Sequence, residues 1–253
     1  MKNTSSAFHY LSWPVQNVVA FTTTIHHPKK FKRLGAYGDF NLGFHVGDNS
    51  ANVEMNRNLL LDYLPSHTAI QWLDQVHGNT VERVDNVRDV FIADASITDQ
   101  KNVALAIMTA DCLPIVISSI TGKEIATIHG GWKSLNKNII EGTVSKMTTP
   151  LEELCVWLGP CIGANKFEVG EEIYTEFTNR HHSFKEAFTL IENAGIDNKY
   201  LANLHLIAVL QLNLLGIDKI YSLPHCTFSM EDDYYSYRRQ NITGRMATII
   251  CRL

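Results

Sequence analysis

No stretch of this chain approaches the roughly 20 consecutive apolar residues that a membrane-spanning helix requires, so no membrane partner is expected. Its 22 Lys and Arg are scattered among 26 Asp and Glu. A net charge of -4 without a basic stripe offers no grip on a phosphate backbone, which argues against nucleic acid as a partner. Cysteine is sparse as well: five residues at irregular spacing describe no disulfide framework. Cys155 and Cys251 sit inside apolar strand-like runs and read as small buried hydrophobes, and Cys161 and Cys226, each after a turn signal, read as packing residues. Internal repeats, low-complexity tracts and Pro/Gly/Ser-rich linkers are also missing, which leaves one domain over residues 1–253 as the expectation. Met1–Ser6 lacks the apolar core of a signal peptide, so the expected compartment is the cytoplasm.

The chain does have three short segments that carry metal-competent side chains: Gln75-Val76-His77-Gly78, Thr109-Ala110-Asp111-Cys112-Leu113-Pro114 and His129-Gly130-Gly131-Trp132. Val103–Met108 is an apolar run of strand length that resumes at Leu113–Ile117 after a polar break. Thr121-Gly122-Lys123 reads as a turn and Glu124–Ile128 as the next strand, so Cys112 and His129 fall at the ends of neighbouring strands. Ile70–Val76, also strand-like, delivers His77 to the same kind of position. Two imidazoles and a thiolate suit a transition metal such as zinc. Three ligands leave a coordination position open, as catalytic zinc sites do.

Elsewhere strands and helices interleave. Val169–Arg180 has helical spacing, and Lys199–Leu215 predicts the strongest helix through Leu201, Leu204, Ala208, Leu212 and Leu215, stopped by Gly216. Short strands are predicted at Lys219–Ser222 and Met246–Cys251. Together these elements predict a mixed α/β or α+β sandwich around one core.

With these residues in view, the chain resembles the YfiH/YlmD family, laccase-like proteins once described as multicopper polyphenol oxidases and regarded as purine nucleoside phosphorylases with adenosine deaminase activity. The resemblance rests on Asn41-Leu42-Gly43, His45-Val46-Gly47-Asp48, Asn56-Arg57, Ala93-Asp94-Ala95, Leu158-Gly159-Pro160, Ile162-Gly163, Phe167-Glu168-Val169-Gly170, Ser236-Tyr237-Arg238-Arg239 and Thr243-Gly244-Arg245, in addition to the three segments above. It implies a layered α-β-β-α sandwich, zinc on His77, Cys112 and His129, with copper as the other metal such ligands suit, and purine nucleoside and phosphate as small-molecule substrates. Two positions depart from the family pattern. Ile25 stands where a T-R-x-G-G segment carries Arg, which removes a bidentate anion clamp, and Lys133 follows Trp132 where Arg is usual.

Deamination asks for a carboxylate that shuttles a proton beside an activated water. Asp111 is nearest in sequence, with the fixing of loop geometry as its competing role. Phosphorolysis asks for a held phosphate, and Gly130-Gly131 ahead of a helix running from Trp132 towards Met147, aided by Lys133 or Arg57, is the sequence's own suggestion. Asn41 is a further substrate candidate, with turn duty as its alternative. Rival readings are a cysteine hydrolase using Cys112 and His129, a peptidoglycan-precursor editing hydrolase, a copper-dependent polyphenol oxidase and a non-enzymatic binding module braced by metal.

Overall fold

A computed structural model describes residues 6–30, 35–192 and 198–253. Met1–Ser5 of the stretch read above for a signal sequence lie outside the described residues.

Two sheets make the centre. The first runs in the order Phe8–Tyr10, Val18–Thr23, Met246–Arg252, Val103–Thr109, Ala69–Gln71, antiparallel except for the last pair. The second runs Ile220–Ser222, Leu154–Leu158, Leu113–Ser119, Ile125–Gly130, Ala95–Thr98, Val81–Arg83, with parallel pairs only at its two edges. Side-chain alternation explains how they stack. Along Val103–Thr109, Val103 and Leu105 enter a cluster shared with Val116, Ile125 and Trp157 of the second sheet, whereas Ala104 and Ala106 face outward onto Phe40, Leu42, Leu59 and Leu60. Leu59 and Leu60 belong to the helix Ser50–Leu60, whose first turn is capped by Asn49 accepting from the Ala51 N–H. On the second sheet, Ile115, Ile117, Ala126, Ile128 and Val156 point the other way and are covered by Leu135, Ile139, Phe177, Ile207 and Leu212 of four helical segments.

The result is helix, sheet, sheet, helix, the layered sandwich that the family resemblance implied. Every residue of the strands Val103–Thr109, Leu113–Ser119 and Ile125–Gly130 is buried, because both faces of each sheet are covered. The hydroxyls caught between layers pair with one another, Thr248 with Thr22 and Ser96 with Thr127. Among the described residues no helix is long and apolar enough to cross a membrane.

Two predicted helices are shorter than their apolar spacing suggested. Lys199–Ala202 is a strand, paired with Phe188–Ile191 and Glu168–Gly170, and the helix is Leu204–Leu214, started by Asn203 accepting from the Leu206 N–H. Likewise Glu168–Gly170 is a strand and the helix is Glu171–Thr178. Strand partners from elsewhere in the chain override a periodicity read locally. The predicted strands near Lys219–Ser222 and Met246–Cys251 form at Ile220–Ser222 and Met246–Arg252.

Candidate metal centre and its cleft

Asp94 organises two of the three predicted ligands. Its carboxylate accepts from the backbone N–H groups of Val76 (3.3 Å), His77 (3.0 Å) and Gly78 (2.6 Å), which bends the segment after the strand Leu73–Asp74 and holds His77 at φ 57°. The same carboxylate lies 2.7 Å from His129 Nδ1, at the end of the strand Ile125–Gly130. A carboxylate accepts, so Nδ1 carries a proton towards Asp94 and Nε2 is the nitrogen that can take a metal in exchange for its own proton.

Cys112 is aimed by its neighbour. The strands Val103–Thr109 and Leu113–Ser119 belong to different sheets, so residues 110–112 cross between layers. Asp111 sits there at φ 93°, with its carboxylate accepting from Thr227 Oγ1 (2.6 Å), Ser236 Oγ (3.0 Å) and the Arg238 N–H (2.7 Å), and its carbonyl accepting from the Ile162 N–H. Every oxygen of Asp111 thus faces the loops behind the site. These hydrogen bonds engage both carboxylate oxygens in fixing the loop.

One donor atom each from His77, Cys112 and His129 lie within 4.8 Å of one another, and the two imidazole centroids are 4.7 Å apart. Tetrahedral zinc at its usual bond lengths places ligand atoms about 3.4 Å apart, so a small closure completes the site. Gly131 makes room for it: a Cβ there would stand 2.8 Å from His77 Nδ1 and 3.2 Å from Cys112 Sγ. The two imidazoles are shifted in opposite directions. Packing around the His77 ring, and then the charge of His129, bring His77 down to about 4, so its lone pair is free at neutral pH. Burial pulls His129 down too, but the Cys112 sulfur and the Asp94 carboxylate outweigh it and lift His129 to about 9 in the metal-free site.

The trio opens onto a cleft of about 380 Å³, also lined by His45, Gln75, Met108, Thr109, Ala110, Tyr237 and Arg245, a size that small-molecule sites commonly have. Gln75 fixes the cleft floor by exchanging two 2.8 Å hydrogen bonds with the backbone of Met108.

The other predicted residues are not all brought to this cleft. Asn41 is buried, with its side chain committed to Gly43, Asp48 and the Arg245 N–H, so it performs turn duty. Arg57 sits behind Met108, stacked on Trp72 and Phe44. Lys133 is exposed and does not line the cleft, although its charge acts on His77. The helix expected after Gly130-Gly131 is only Trp132–Asn136, because Asn138 adopts φ 60° and a second segment, Ile139–Val144, starts afresh; five residues make too short a helix for a strong N-terminal dipole. Ile25 packs on Ala110, Tyr234, Tyr235 and Met246 and lines a different depression. Sequence reasoning assigned no role to Asp94, although an acid flanked by alanines at the head of a buried strand was the available signal. It also assigned none to Gln75.

Residues 23–253 match the family model described as multi-copper polyphenol oxidoreductase laccase. The chain is 39% identical over 240 residues to a purine nucleoside phosphorylase of Haemophilus influenzae, covering 94% of this chain and 96% of that one. It is 38% identical over 220 residues to the purine nucleoside phosphorylase YfiH of Escherichia coli, covering 86% and 88%. Among solved structures it superposes on a protein of Neisseria meningitidis with a TM-score of 0.88 and 34% identity, over 98% of this chain and 99% of that one. YlmD from Geobacillus stearothermophilus gives a TM-score of 0.80 at 25% identity, again over 98% and 99%.

Proposed function

This chain belongs to the multi-copper polyphenol oxidoreductase laccase family, and from that membership and its purine nucleoside phosphorylase relatives we propose that it is a zinc-dependent purine nucleoside phosphorylase with adenosine deaminase activity. Its substrates are adenosine, inosine and methylthioadenosine in the cytoplasm, and phosphorolysis gives the free base and a ribose 1-phosphate. The observation that carries this reading is the convergence of His77, Cys112 and His129 on one side of a nucleoside-sized cleft.

When bound, zinc supplies Lewis acidity to the substrate and lowers the pKa of an attacking water towards about 7. The chain's own residues do the rest. Asp94 keeps the His129 proton on Nδ1 and so keeps Nε2 available. Asp111 holds the turn that presents the Cys112 sulfur. Tyr237, half-exposed at the cleft wall, offers an aromatic face for a purine. Multicopper oxidation, suggested by the family's description, would need further histidine-rich clusters, and among the described residues no second group of three metal-competent side chains converges.

Metal analysis of wild type and Cys112→Ala, paired with identification of products from adenosine, tests the reading. Wild type should carry about one zinc per chain, yield adenine when phosphate is present and yield inosine without it; Cys112→Ala should lose zinc and both products. Full metal and full turnover in Cys112→Ala, or neither product from zinc-replete wild type, would refute it.

A further inference from the structure

On the wall of the cleft, no carboxylate of the described residues pairs with the Arg245 guanidinium. The Arg245 guanidinium is held by neutral groups: Nη1 donates to the carbonyls of Thr243 (3.1 Å) and Gly244 (2.9 Å), and the Tyr237 ring centroid lies 5.8 Å from its central carbon. Its Nε and Nη2 have no acceptor among the described residues. Behind Met108, Arg57 is in the same condition, with Nε on the Leu42 carbonyl (2.8 Å), Nη2 against Met108 Sδ (3.3 Å) and its central carbon 3.8 Å from the Trp72 ring centroid. Side-chain ion pairs among the described residues join His26 to Asp233, Lys29 to Asp62, Arg83 to Glu124 and His129 to Asp94; neither arginine takes part. Of the carboxylates around the cleft, Asp94 is committed to His129 and three backbone N–H groups and Asp111 to Thr227, Ser236 and Arg238, while the exposed Asp74 acts on His45 and pairs with neither arginine.

Burial lowers the pKa of both guanidiniums, Arg57 to about 10, and burial followed by the charges of Arg245 and Arg57 lowers that of His45 on the same wall. A partly buried cation without an ion-pair partner carries a desolvation cost, and such an arrangement suits a site where a ligand brings the anion. The free edge of Arg245, Nε with Nη2, is also the edge that grips two oxygens at once, and the two carbonyls on Nη1 fix its direction.

We propose that Arg245, assisted by an N–H of His45 and backed by the charge of Arg57, forms an oxyanion subsite that holds inorganic phosphate in the cleft beside the metal trio. The assignment rests on the phosphorylase reading and supplies the clamp which that reading needs, since Ile25 lines another depression and Lys133 is exposed outside the cleft lining. In the step it serves, an oxygen of hydrogen phosphate forms a bond to C1' of the ribose while the bond from C1' to the purine nitrogen breaks. The electron pair leaves with the purine, and the proton that hydrogen phosphate carried ends on the departing base. A guanidinium fixed on the phosphate positions the attacking oxygen and offsets the repulsion between its charge and the Cys112 thiolate.

The test compares zinc-replete wild type, R245Q, R245K and K133A, titrated with inorganic phosphate by thermal shift and assayed for phosphorolysis of inosine. Phosphate should raise the Tm of wild type and K133A saturably, with the phosphate KM of K133A within about twofold of wild type. R245Q should lose the shift and raise the phosphate KM about 10- to 100-fold while the inosine KM and zinc content stay near wild type, the range expected for losing hydrogen bonds to a charged ligand. If R245Q fails to retain zinc, R245K decides: charge kept and fork lost, it should still raise the phosphate KM about tenfold. An unchanged phosphate shift and KM in R245Q or R245K, or the loss appearing in K133A instead, overturns the subsite. Wild type that binds phosphate through Arg245 yet releases no purine would leave the subsite standing and remove the phosphorylase reading; wild type that releases purine but is indifferent to Arg245 would do the reverse.

Discussion

Asp94 does two jobs with one carboxylate, fixing the His129 tautomer and folding the His77 turn, and its replacement should therefore act on metal binding more than on fold. Removing such an outer partner of a ligating histidine typically costs 10- to 100-fold in metal affinity. Asp94→Asn should weaken zinc by about that range in a chelator-competition titration; unchanged affinity would show that His129 needs no orienting partner. Glu124 makes a comparable claim about stability. It is buried and accepts from Arg83 (2.9 Å), the backbone N–H groups of Thr148 and Thr149 and the Thr149 hydroxyl, tying the head of a central strand to the segment after Ile139–Val144. Burial opposes its charge, but the Arg83 hydrogen bond and the other donors prevail and hold it below the usual glutamate value of 4.5. A lowered folded pKa means that the stabilisation is complete above the unfolded value and lost as pH falls through the folded one. Glu124→Gln should cost about 2 kcal/mol at pH 7 by denaturant unfolding, and the gap from wild type should narrow as pH falls below the usual glutamate value and vanish once it has passed the lower folded one. A pH-independent gap would assign the effect to packing. Sequence alone made His77, Cys112 and His129 visible because their side-chain chemistry announces itself, whereas Asp94 and Gln75 act through geometry that only the folded chain assembles.

At the scale of elements, the segment Ala110–Cys112 determines where the thiolate goes. It joins strands of two different sheets within three residues, and a non-glycine residue at φ 93° is tolerated there because Thr227, Ser236 and Arg238 hold its side chain. If Asp111 acts as this anchor, Asp111→Ala should lower zinc occupancy and Tm together, by several-fold and by several degrees, with residual activity proportional to bound zinc. A proton shuttle would behave differently: zinc retained, kcat down at least 100-fold. Metal content and kcat measured on the same preparation separate the two. The break from Thr109 to Cys112 was legible because polar residues interrupt an otherwise apolar run. The split of the predicted helix at Lys199–Leu215 was not, because Leu201 continues the helical stripe while its backbone pairs with Glu168 and Thr189, partners that no local window contains. Asn203, a preferred cap residue, was the one local sign of where the helix starts.

On the scale of the whole molecule, interleaved strands and helices made a mixed sandwich foreseeable and the family resemblance implied its layers, but neither showed which strands are neighbours. Val103–Thr109 lies between Met246–Arg252 and Ala69–Gln71, drawn from opposite ends of the chain, and pairings of that range come from the fold as a whole. The metal site repeats this topology in miniature. His129 comes from the second sheet, Cys112 from the crossing between sheets, and His77 from the segment that follows the strands beside the first sheet, so a cation bound by all three ties together parts of the molecule that local structure leaves independent. Metal that binds the folded chain and not the unfolded one stabilises it by about 4 kcal/mol when free metal is 1,000 times its Kd. For a chain of this size that is a rise in Tm of about 10 °C. Chelation of the zinc-loaded protein should therefore lower Tm by about that amount, re-addition of zinc should restore it, and Cys112→Ser should start near the lower value and respond to neither treatment. A chelator-insensitive Tm in wild type would mean that the three side chains meet without bearing any of the fold's stability, and would confine the metal's part to chemistry in the cleft.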